Sequence, residues 1–191
     1  MQPEIEVSAW SRASAARIWI VVAVAVAELA HLAWEHLHGG IVSHHLLADP
    51  GLPAVWNGWG LVLLPALAWW TSGRFVRRIA RHDDRRRAMV GGVAGFAVAA
   101  IAGVLLSAAF LQGREDLASL VLFSAFGLAL LLPGYRAECV LGFVLAMTFV
   151  FGAVLPLMIA SVVAGVSMLA HRVIYPVASR LWRRSRRPVP G

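Results

Sequence analysis

Five of the seven histidines fall between residues 31 and 45, interleaved with acids: Glu28, His31, Glu35, His36, His38, His44, His45 and Asp49. Neutral imidazole and carboxylate together are ligands for zinc, copper(II), nickel or iron. The same two groups are the usual material of proton relays inside membranes. At ~100° per helical residue, Glu28, His31, Glu35 and His38 share an arc of roughly 80°, whereas His36 points away. Gly39 and Gly40 then let the chain turn back and bring His44 and His45 to the outer end of that face. Asp49, directly before Pro50, suits either a further ligand or the start of a turn. The expected ligands of a divalent transition metal are therefore His31, Glu35, His38, His44 and His45, with Glu28 and Asp49 on an ion or proton path. Neither a His-Glu-x-x-His motif nor a desaturase-like histidine box is present, so the cluster names a kind of chemistry and no particular reaction.

The elements that must hold these groups are membrane spans. Of the 191 residues, 60% are apolar and 14% charged, with a mean hydropathy of +0.74, against about 45–50% and about 25% in soluble domains. The expected fold is all-α, a polytopic transmembrane helical bundle of about six spans. They are placed near 18–37, 56–73, 88–111, 117–132, 137–153 and 157–178, between an N-terminal segment, 1–17, and a basic tail, 179–191. The uncharged run 139–170 would measure ~48 Å as a single helix, well beyond a bilayer core of ~30 Å. It is expected to fold back near Gly152 and Pro156, with one long bent helix as the alternative.

All 17 basic residues are arginines, so no lysine is available for Schiff-base chemistry. A single cysteine, Cys139, excludes an internal disulfide and a multi-thiolate metal site. Seven arginines, Arg74, Arg77, Arg78, Arg81, Arg85, Arg86 and Arg87, follow span two. Six more, from Arg172 to Arg187, occupy the C-terminal end. Arginine excess marks the cytoplasmic side, so an inner-membrane, multi-pass protein with both termini cytoplasmic is expected. The net charge of +7 then serves orientation and membrane lipids, and no nucleic acid is implied. Counted from Arg17, Glu28 lies ~16 Å deep, near the midplane. A carboxylate there costs roughly 2.5–3.5 kcal/mol, so the polar face must look into the bundle or a water-filled cavity and not at lipid.

Gly91, Gly95, Ala99 and Gly103 form a small-residue stripe for close helix packing, within the bundle or in a homo-oligomer. Trp56, Trp59, Trp69 and Trp70 fall where interfacial anchors belong. Arg136 is a candidate for an anionic headgroup and Glu138 for a local pair, while His82, Asp83 and Asp84 read as a solvated patch. The function expected is transport of a divalent metal ion or of a proton-coupled small solute. The alternatives are an outward-facing metalloenzyme and a structural or assembly subunit.

Overall fold

The structure, a computed structural model, describes residues 3–45, 51 and 53–185, with side chains described at 14–44, 51 and 53–183. Asp49 lies outside the described residues, as does the side chain of His45. Six helical stretches carry the chain: α1 (Pro3–Leu37), α2 (Gly60–Ala80), α3 (Arg85–Leu111), α4 (Glu115–Leu131), α5 (Ala137–Phe151), and a last stretch made of α6 (Val154–Leu169), a π-helical turn (Ala170–Ile174) and α7 (Tyr175–Ser185). Between α1 and α2 two short strands, β1 (Ser43–His45) and β2 (Ala54–Trp56), pair antiparallel with Ser43 opposite Trp56 and His44 opposite Val55.

The helix limits follow from local chemistry. α1 ends before Gly39 and Gly40, whose positive φ values turn the chain out of the helix. The Asp84 carboxylate caps α3 by accepting from the Arg87 N–H at 2.9 Å, and His82, Asp83 and Asp84 are all exposed, as a solvated patch requires. α4 opens with Glu115 and Asp116, which complement the positive end of the helix dipole. α1 starts at Pro3 and α7 runs to Ser185, so the helices extend into both terminal segments.

Among the described residues, three helices are long and apolar enough to cross a membrane: Ser14–Leu37, Arg85–Leu111 and Val154–Arg183. α2 gives its last two turns to Arg74, Arg77 and Arg78, and α4 and α5 have 17 and 15 residues. Large apolar side chains such as Val26, Val98, Ile101, Phe123 and Val162 remain exposed around the helices. In water such a surface would be a liability, whereas hydrocarbon accepts it.

α5 is the centre of the bundle. Its Phe143, Val144 and Met147 pack with Leu64 of α2, Leu106 of α3 and Ala160 of α6. α3 lies closest to α5 because glycine meets it there: a Cβ at Gly103 would stand 2.9 Å from the Phe143 carbonyl and one at Gly95 3.1 Å from Cys139 Sγ. The Gly95 and Gly103 part of the stripe is thus occupied by the chain's own α5, and Gly91 faces open space. The 139–170 run does fold back. α5 stops at Gly152, and at the far end the Ser167 hydroxyl of α6 donates to the Leu132 carbonyl and accepts from the Tyr135 N–H, both at 3.3 Å. The Tyr175 hydroxyl adds a 2.7 Å bond to the Leu130 carbonyl.

At the arginine-rich end, the Arg78 guanidinium of α2 donates to the buried Glu138 carboxylate of α5 and, at 3.4 Å, to the Ala88 carbonyl of α3. Glu138 therefore pairs 60 residues away, where a local pair was expected. Three helices that differ in sequence are fixed at one point.

Candidate functional site

α1 and α2 form an antiparallel hairpin pinned at both ends. At one end Arg17 of α1 donates to the Trp69 carbonyl at 3.2 Å and lies 4.1 Å over the Trp69 ring. At the other end the Glu28 carboxyl packs directly on Gly60, the first residue of α2, where any Cβ would overlap it. Glycine at this position lets a carboxyl approach the positive end of a helix dipole.

From Glu28 a buried polar chain climbs α1. His31 stands between two acids, its Nδ1 3.5 Å from Glu28 Oε2 and its Nε2 3.5 Å from Glu35 Oε1. Glu28 is 3% and Glu35 6% exposed. The imidazole is covered on one side by Phe149 of α5, with ring centroids 5.0 Å apart. Glu35 is the satisfied member: Asn57 Nδ2 donates to its Oε1 at 2.6 Å and the Val42 N–H to its Oε2 at 3.2 Å. Asn57 Nδ2 also approaches His44 Nε2 at 3.5 Å, which carries the chain to the β1–β2 ribbon. Beside His44, Asn57 and Gly152 lies a void of about 10 Å³, at the lower limit for a single water.

By contrast, neither ring nitrogen of His31 nor Glu28 Oε1 has a hydrogen-bond partner, although all three are buried. Native proteins satisfy nearly all such groups, because each orphan costs roughly 1–3 kcal/mol. Two adjacent orphaned residues on one face are therefore an unusual expense. A proton placed on His31 would convert both 3.5 Å approaches into ion pairs.

The sequence-derived ligand set is only partly brought together. Glu28, His31 and Glu35 share the buried face. His38 does not: it lies one residue past the end of α1, donates from Nδ1 to the Trp34 carbonyl at 2.8 Å, and stacks on the exposed Trp34 ring at 4.6 Å. The helical arc places it on the polar face only if the helix continues, and it ends at Leu37. His36 is exposed, as expected. Among the described residues, no group of three or more His, Cys, Asp and Glu side chains is placed to hold a metal ion. Sequence reasoning missed Asn57 and, although it marked Gly152 as a turn, did not bring that turn to this site. Asn57 is a lone amide in a tryptophan-rich turn, and nothing in the periodicity ties it to Glu35, 22 positions earlier.

Gly152 closes the site from α5. Its φ of +67° is a conformation that side chains with a Cβ resist, and an added Cβ would run into the Asn57 side-chain amide oxygen Oδ1. Gly152→Ala is expected to cost about 1–3 kcal/mol from the backbone alone, because φ +67° with ψ −178° is a region that glycine alone occupies, read as a lower melting temperature in detergent.

His44 lies outside the helices. Burial holds its pKa below the ordinary histidine value; the Glu35 carboxylate opposes this shift and His31 adds to it. The unfolded chain then binds a proton before the folded one does. The stabilising contribution is complete above the unfolded value of ~6.5 and is lost as pH falls from there through the folded value. Melting curves from neutral to mildly acidic pH should show this decline in the parent and a flatter profile in His44→Gln.

No family model, no curated protein and no solved structure matches this chain.

Proposed function

We propose that the protein is a proton-handling membrane transporter, in which Glu28, His31, Glu35, Asn57 and His44 form the path between the outer face and the bilayer midplane. One observation carries this reading: the buried His31 imidazole sits 3.5 Å from a carboxylate on either side and is hydrogen-bonded to neither. A group in that position takes up and releases a proton between two acceptors with small movements, and intramembrane acid–histidine chains serve pumps and transporters in this way. A small solute coupled to proton movement is the cargo this arrangement favours. Divalent-metal transport draws less support, because His38 is engaged with Trp34 and the Asn57 amide approaches His44.

The reading places six helices across the inner membrane, with the Arg78–Glu138 end and both termini in the cytoplasm. Arginine distribution supports that orientation. Short α4 and α5 fit a six-span bundle because α5 is largely buried among its neighbours and needs little contact with lipid.

Infrared titration of the protein in vesicles tests whether the site exchanges protons with water. The expected result is a protonated-carboxyl band that responds to external pH and to deuterated water and is reduced in Glu28→Gln. A carboxyl spectrum that ignores both, or one that Glu28→Gln leaves unchanged, would remove the reading.

A further inference from the structure

α3, α4, α5 and α6 line a partly open cleft of about 290 Å³, and none of its lining residues belongs to the histidine site. Its walls are almost wholly apolar, with Gly91 and Ala94 of α3, Ala125 of α4, Val140 of α5 and Val163 of α6 among them. One charged residue lines it, Arg136, at the start of α5. We propose that this cleft holds one acyl chain of an anionic phospholipid from the cytoplasmic leaflet, with its phosphate on Arg136. The proposal rests on the six-span membrane placement above and not on the proton path.

Three features select this occupant. The first is length. Along α3 the lining runs from Gly91 to Ala102, roughly 16 Å at 1.5 Å per residue, or about half of a ~30 Å hydrocarbon core. The cleft thus has the depth of one leaflet. The second is charge. Arg136 is half-buried, its guanidinium makes no hydrogen bond or ion pair among the described residues, and the neighbouring acid, Glu138, is engaged by Arg78. Its guanidinium therefore remains available to a phosphate, which it can bind in a bidentate fashion. The third is position. Arg136 lies at the end of α5 where Arg78 also sits, and Arg172 stacks 5.4 Å over the ring of the adjacent Tyr135. Arg136 marks the arginine-rich end of the cleft and the rest of the lining, as far as Ala102 of α3, is uncharged, as a lipid of that leaflet requires.

Purified full-length protein in detergent micelles, offered equal amounts of phosphatidylglycerol and phosphatidylcholine, allows retained lipid to be counted by native mass spectrometry. The expected result is one retained phosphatidylglycerol per chain, preferred about fivefold, the factor that one arginine near an anionic lipid supplies. Arg136→Gln should abolish the preference while still retaining lipid of either kind. Ala94→Trp, which fills the cleft, should retain neither, and inorganic phosphate should not displace the lipid from the parent protein. Equal retention of the two lipids by the parent, or an unchanged preference in Arg136→Gln, would overturn the proposal. Because Arg136→Gln leaves the apolar walls intact, misfolding of Ala94→Trp would not rescue or sink it. A chain that extracts into water without detergent would overturn the membrane placement itself. A chain that stays in the bilayer without selecting anionic lipid would overturn the lipid site alone.

Discussion

Arg78→Leu is expected to lower the melting temperature of the detergent-solubilised protein by roughly 10 °C, corresponding to about 3 kcal/mol for a chain of this size. The change leaves Glu138 buried without its cation, since Arg78 is its one ion-pair partner among the described residues. It also removes the donor to the Ala88 carbonyl, so α2 loses its hold on α3 and α5 together. The Arg78 side chain is 27% exposed and that of Glu138 10%, which puts the effect at the lower end of the range for broken buried pairs. Glu138→Leu should do similar damage by stranding the arginine. The double variant Arg78→Leu/Glu138→Leu should lose less than the two singles combined, because no uncompensated charge remains. Additive losses would show that the two residues act separately and that the link between the helices lies elsewhere.

The same pair shows where sequence reading stops. Hydropathy locates apolar helical runs, because such residues must bury or enter lipid whatever surrounds them, but it does not set their ends: α1 begins at Pro3 and α2 ends at Ala80. The break at Gly152 is legible for a similar reason, since 32 uncharged residues exceed what a bilayer accommodates as one helix. The buried set Glu28, His31 and Glu35 is legible because it lies within a regular helix, where angular arithmetic holds. His38 was assigned to that set by the same arithmetic carried one residue too far, beyond Leu37. Asn57 and the Arg78–Glu138 pair depend on how separate segments meet, and no local pattern encodes a partner 22 or 60 positions away. The small-residue stripe announced a close helix contact, but only the packed chain shows that α5 fills most of it.

Glu28 carries the largest functional effect expected of the proposed path, because it is the most buried acid of the site and, among the described residues, the acid of the site with an unbonded buried oxygen. On that path it is the last group after His44, Asn57, Glu35 and His31. Glutamine keeps its size and its contact with Gly60 but cannot carry the proton. The decisive measurement is proton flux in vesicles reconstituted with the parent protein or with Glu28→Gln, followed by an internal pH-sensitive dye under an imposed gradient, with and without candidate small solutes. The account predicts flux above that of empty vesicles for the parent and a loss of roughly 100-fold in Glu28→Gln, the lower end of what a positioned proton-transfer group contributes. Equal flux from the parent and Glu28→Gln, or a parent no faster than empty vesicles under every gradient and solute, would contradict it.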